Sequence, residues 1–218
     1  MGCSVMDSLS VTDLGADQDY GATLSLQERL HTRRKSGAIP DTLLLLEHSP
    51  VYTLGRSAEV SHMLMTDEEL QAAGIGKFET RRGGDVTYHG PGQLVGYPIV
   101  HLAEKGLKVL EFVEGIEETL LRAAAAFGVA ATRAPRNRGV WINDDKLAAL
   151  GIMVSRQVTM HGFALNVNTD LSQYRGIVPC GLQDAGVTSL ARALGREVDM
   201  RSVKKHVAQA FRDVFGYR

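Results

Sequence analysis

The spacing of hydrophobic and polar positions changes several times along the chain, and each change marks an element. Asp17 to Arg34 reads as an early helix. Thr42 to Glu47 holds four consecutive leucines and reads as a buried strand, and Val51 to Leu54 as a second, shorter one. Thr66-Asp67-Glu68-Glu69 matches a capping box, which predicts a short helix stopping at Gly74. From Arg81 to Val100 two glycines lead into Val86–His89, then a Gly90-Pro91-Gly92 turn, then Leu94–Val100: strand, tight turn, strand. Val109, Phe112, Val113, Ile116, Leu120, Ala124 and Phe127 recur at helical spacing, with Gly128 as the stop. Gly139–Asn143, Lys146–Arg156 and Met160–Asn168 read as three strands on short turns, which favours antiparallel pairing. Met200, Val203, Val207, Phe211 and Val214 mark a C-terminal helix. Helices and hairpin-like strands thus alternate irregularly. The predicted class is α/β of the α+β type, a mixed, largely antiparallel sheet covered by helices, rather than a doubly wound sheet. Neither G-x-G-x-x-G nor a P-loop G-K-[ST] accompanies the glycines.

Length and composition narrow the classes. The 218 residues fit one domain, 1–218, with residues 1–16 expected to be poorly ordered. Hydrophobic residues make up 44% and charged residues 22%, enough to bury a sizeable core. A formal net charge of -1 supplies no bulk basic field, so no nucleic-acid partner is expected. No apolar run has the length of a bilayer span, so no membrane partner is expected either. Met1-Gly2-Cys3 begins like a myristoylation site, but Met6 breaks the pattern. With no export signal and only Cys3 and Cys180, both thiols are expected to be reduced, in the cytoplasm.

Candidate chemistry centres on Cys180, between Pro179 and Gly181, a setting that presents a side chain at a bend. A lone cysteine is otherwise a small buried hydrophobe. A nucleophilic thiol needs a base or cation beside it. The candidates are His89, His161 and Lys146, which opens an otherwise apolar strand. Such a lysine is either a solvated strand end or an amine held near a thiol, sharing its proton. The loop Arg82-Gly83-Gly84-Asp85 reads as a hairpin connection, or as a backbone surface along which a ligand lies and whose N–H groups hold an oxyanion. Ala149-Leu150-Gly151 and Gly162-Phe163-Ala164 alternate small and apolar residues, which suits an acyl slot or close strand packing.

Taken together these segments resemble one family. RGGDVTYHGPGQLV from Arg82 to Val95, running on through Tyr97-Pro98, is similar to the signature of lipoyl(octanoyl) transferases. Gly139-Val140-Trp141, Lys146 to Gly151, His161 to Asn166 and Pro179-Cys180-Gly181 follow in the order that family shows. Leu150 stands where isoleucine is more usual. The resemblance runs from about Leu43 to the C-terminal helix and implies the fold of the biotin and lipoate ligase catalytic core. It implies octanoyl transfer from octanoyl-acyl carrier protein to a lysine of lipoyl domains of 2-oxoacid dehydrogenases or of the glycine cleavage H protein. Cys180 falls at the acyl-bearing cysteine and Lys146 at the lysine that lowers the thiol pKa. Substrate contacts fall on Arg82, Gly83, Gly84, Asp85, Val86, Thr87, Tyr88 and His89, on Ala149, Leu150 and Gly151, and on Gly162, Phe163 and Ala164. No cofactor, ATP or metal is expected. The alternatives are an ATP-dependent lipoate ligase of the same fold, a non-catalytic acyl-carrier binding module and a cysteine hydrolase.

Overall fold

The computed structural model describes residues 8–134, 137–178 and 186–218. Eleven strands and five α-helices are seen among them. The larger sheet has the order β1-β2-β6-β10-β9-β8-β7, where β1 is Leu9–Gln18, β2 Asp41–His48, β6 Gln93–Ile99, β7 Thr132–Ala134, β8 Asn137–Ile142, β9 Asp145–Ser155 and β10 Val158–Asn166. The two-residue β11, Gly186–Val187, pairs with the start of β9. A smaller sheet has the order β4-β3-β5, with β3 Val51–Leu54, β4 Gly76–Glu79 and β5 Val86–His89. Most pairings are antiparallel; β1 with β2, β3 with β4 and β11 with β9 are parallel.

The leucine run of β2 owes its continuity to burial on both faces. Leu43 and Leu45 join Phe112, Ile116, Val207 and Phe211 under helices α3 (Val109–Ala126) and α5 (Met200–Phe215). Leu44 and Leu46 join Val95, Tyr97, Leu26 and Leu30 on the face covered by α1 (Tyr20–Lys35). That helix buries an unusual stripe, Thr23, Gln27, His31 and Arg34, spaced four, four and three residues apart. Gln27 Oε1, His31 and Arg34 find partners on the sheet, while Gln27 Nε2 has none among the described residues. Arg34 Nε donates to Asp41 at 2.7 Å, Tyr217 Oη donates to the same carboxylate at 2.7 Å, and His31 Nε2 meets Val158 O at 3.1 Å.

The short helix α2, Asp67–Ala73, carries the capping box expected at Thr66 and ends at Gly74 in the left-handed region. One expectation changes. Residues 9–18 form β1 rather than a poorly ordered start; their register on β2 breaks at Asp13/Gly15 and again at Gly15/Gln18, which erases the period of two. The expected strand, Gly90-Pro91-Gly92 turn and strand are present, and the turn hands the chain from the small sheet to the large one. A Cβ on Gly92 would lie 2.6 Å from Asn168 O, so its lack of a side chain lets the turn lie against Asn168. Among the described residues no helix is long and apolar enough to cross a membrane.

Candidate active site

The glycine loop lies across β9. Gly83 N–H donates to Ile152 O at 3.0 Å, and Gly84 adopts φ +89°. Arg82 turns inward and is buried, with Nη2 donating to Thr53 O at 2.5 Å and to Thr53 Oγ1 at 2.9 Å. Beneath the loop is an apolar slot. Arg82, Gly84, Asp85, Val86, Thr87 and His89 form one wall; Ala149, Leu150 and Gly151 from β9 and Gly162, Phe163 and Ala164 from β10 form the other. Gly83 faces a neighbouring hollow instead, and Tyr88, on the alternate face of β5, packs with Tyr52 and Tyr174.

Two readings of the small residues hold at once. Gly151 and Gly162 are partners in the β9–β10 register and border the slot. A Cβ on Gly151 would sit 2.7 Å from Gly83 O, and one on Gly162 would sit 2.1 Å from Gly96 O. Their lack of side chains therefore lets loop and strands approach closely enough to enclose the space.

Tyr20, Tyr97, His89 and His161 also line the slot. His48 stands behind: its Nδ1 donates to Gln18 O at 2.9 Å, so Nε2 accepts from Tyr97 Oη at 2.7 Å. Burial pushes His48 down to about 4, and burial with the charges of Arg82 and His31 brings His161 to about 4. His89 falls to about 3, mainly through burial, and donates Nδ1–H to Gln93 Oε1 at 2.8 Å. Neither His89 nor His161 is therefore an effective base at neutral pH.

The neighbouring hollow shares Gly84, Asp85, Ala149, Leu150 and Gly151 with the slot and contains Lys146. Lys146 is only 7% exposed, so it is not a solvated strand end. Its Nζ donates to Asn137 Oδ1 at 2.9 Å and lies 4.8 Å from the Trp141 ring centre. Opposite, His62 Nδ1 meets Asp85 Oδ2 at 2.5 Å, and the His62 carbonyl accepts from Val178 N–H at 2.8 Å. Pro179, Cys180 and Gly181 lie outside the described residues. The arrangement sets a buried amine beside an apolar slot. Tyr20, His62 and Asn137 join the site without a sequence signal of their own, and Tyr97, which continues the signature, joins them, because sheet pairing and loop packing bring them there.

A basic surface of Arg81 and Arg82 beside the slot and of Arg133, Arg136 and Arg138 before Trp141, facing an acidic donor, is a further expectation of the sequence, and the buried Arg82 takes no part in it. Arg136 lies outside the described residues. Arg133 pairs with Glu118 at 2.8 Å, and Arg138 Nη1 donates to the buried Glu117 at 3.3 Å. Helix α3 thus balances both arginines.

The model of the lipoyl protein ligase A/B catalytic domain matches residues 19–212. An octanoyltransferase of Alkaliphilus metalliredigens (strain QYMF) is 46% identical over 210 residues, 96% of each chain. In fold, the chain is similar to a bi-partite lipoate protein ligase from Thermoplasma acidophilum, with TM-score 0.71 at 14% identity, covering 98% of this chain and 85% of that one. It is also similar to the biotin protein ligase of Aquifex aeolicus, with TM-score 0.54 at 16% identity, covering 95% and 70%. Fold and site define an enzyme on the biotin and lipoate ligase catalytic core. The chain belongs to the lipoyl protein ligase A/B catalytic-domain family and, within it, to the octanoyltransferases.

Proposed function

We propose that this enzyme moves an octanoyl group from acyl carrier protein to the lysine ε-amine of lipoyl domains, in two steps through a thioester on Cys180. In the first step the Cys180 thiolate attacks the donor thioester carbonyl. The carrier thiolate leaves and takes a proton from the Lys146 ammonium. In the second, the acceptor amine attacks the Cys180 thioester; neutral Lys146 takes the proton that the nitrogen sheds, and the Cys180 thiolate leaves. Arg82, Gly84, Asp85, Val86, Thr87 and His89, with the small residues of β9 and β10, hold the acyl chain, and no ATP, metal or other cofactor takes part.

The observation that carries this reading is the buried Lys146 amine in a hollow that shares Gly84, Asp85, Ala149, Leu150 and Gly151 with an apolar slot. The name octanoyltransferase on a relative 46% identical over nearly the whole chain supports the acyl group chosen. The test is intact-mass spectrometry after incubation with octanoyl-acyl carrier protein, without ATP or magnesium. The expected result is one octanoyl adduct on the wild type and on Cys3→Ser, none on Cys180→Ser, and discharge on adding a lipoyl domain. An adduct that survives Cys180→Ser, or transfer that needs ATP, overturns the proposal.

A further inference from the structure

His161 has no role in the chemistry above, yet its placement is costly. It adopts φ +61°, a left-handed conformation rare for a residue with a Cβ. Its side chain is buried at 2% exposure, and neither Nδ1 nor Nε2 has a hydrogen-bond partner. Only its backbone is anchored, with N–H donating to Gln27 Oε1 at 3.0 Å. A ring fixed by its backbone and unfastened at both nitrogens is placed for the space it fills.

That space is a partition. His161 lines the slot, and it also lines an outer hollow bounded by Leu24, Glu28, His31 and Met160. The charges that act on the imidazole come from both sides, Arg82 within the slot and His31 in the outer hollow. The register sets its depth. His161 pairs with Ile152, three residues along β9 from Ala149, which borders both the slot and the Lys146 hollow. Three strand residues span about 10 Å. An extended octanoyl chain spans about 9 Å from carbonyl to terminal methyl. A carbonyl at the level of Ala149 therefore puts the methyl at the level of His161.

We propose that His161 is the end wall of the acyl slot and sets its chain length, closing the slot against the outer hollow. The inference rests on the acyl-slot reading of the site. Removing the imidazole joins the two spaces and admits chains longer than eight carbons. His161 is on this view a specificity-determining residue, with no part in the chemical steps.

The test is His161→Gly, which removes the ring and suits the positive φ, so the fold is retained. His161→Asn, which also tolerates the left-handed region, is the second variant. Transfer from octanoyl and dodecanoyl pantetheine thioesters is compared, as the ratio of the two kcat/KM values in each preparation. The ratio for dodecanoyl over octanoyl is expected to rise at least about tenfold in His161→Gly. Burial of four further methylenes puts the ceiling at about two hundredfold. Calorimetric binding of octanoate and dodecanoate reads the same wall without chemistry. Gain of dodecanoate binding with no transfer by the wild type would keep the wall and refute the transfer reading. A folded His161→Gly with both ratios unchanged would overturn the wall alone.

Discussion

Replacing Gly162 by alanine puts one methyl group where three strands meet. The new Cβ would lie 2.1 Å from Gly96 O and 2.6 Å from Pro98 Cδ, both on β6. Neither is the free end of a flexible side chain, so β6 and β10 must part by about 1 Å or more to restore ordinary contact. The two strands are joined along Phe163↔Gly96 to Asn166↔Gln93, in the middle of the large sheet, with α1 on one face and α3 and α5 on the other. Nothing there yields cheaply, and overpacking of this kind costs roughly 1–3 kcal/mol or more. For a chain of 218 residues that is a fall in Tm of about 2–12 °C. The same shift displaces Phe163 and Ala164 from the slot wall, so transfer activity should fall further than stability. Gly84→Ala is the comparison: its Cβ would meet only Arg82 Nη1, at 3.5 Å, and the cost is the backbone strain of φ +89°, about 1–2 kcal/mol. Calorimetric melting of the two variants with octanoyl transfer at a temperature where both are folded decides the matter. A Gly162→Ala protein that melts with the wild type and transfers normally would show that β6 and β10 do not approach as described.

Lys146→Ala is expected to lower kcat by roughly a hundredfold to ten-thousandfold with the fold intact, and the pH profile of iodoacetamide alkylation should shift upward; an unchanged profile would separate Lys146 from the thiol. Asn137→Leu removes the acceptor 2.9 Å from Lys146 Nζ and should lower kcat more than it raises KM, which steady-state kinetics with a small octanoyl thioester would read; a change confined to KM would deny it a positioning role. His48, His89 and His161 are held neutral in the fold, at about 4, 3 and 4 against 6.5 in the unfolded chain, so the unfolded chain binds protons first as pH falls. Stability should therefore be full above about pH 6.5 and decline toward pH 4, by up to about 1.4 kcal/mol per pH unit for each histidine; a Tm flat from pH 7 to 5 would contradict this. Tyr217→Phe strips the buried Asp41 of one donor and should cost about 1–3 kcal/mol, seen as a Tm lower by several degrees, with kcat unchanged.

Much of the fold was legible in the sequence, because its strongest elements bury continuous or strictly periodic apolar faces. The leucines of β2, the stripe of α3 and the caps of α2 are local facts, and local propensity and burial point the same way there. The segments from Arg82 to His89, Ala149 to Gly151 and Gly162 to Ala164 were also legible as a set, since each carries its own pattern of glycines and apolar residues. What they enclose was not. Helix α1 packs with Gln27, His31 and Arg34, whose partners on β10 and β2 are brought to them by the fold. Strand β1 is registered on β2 through bulges that no alternation reveals. Whether Lys146 was a solvated strand end or a buried amine depended on Asn137 and Trp141 across the β8–β9 pairing. Most strands and helices and the glycine loop follow from local pattern alone. Which polar groups are desolvated together follows from the packed fold, because burial and charge neutralisation are properties of what packs against a residue rather than of the residue.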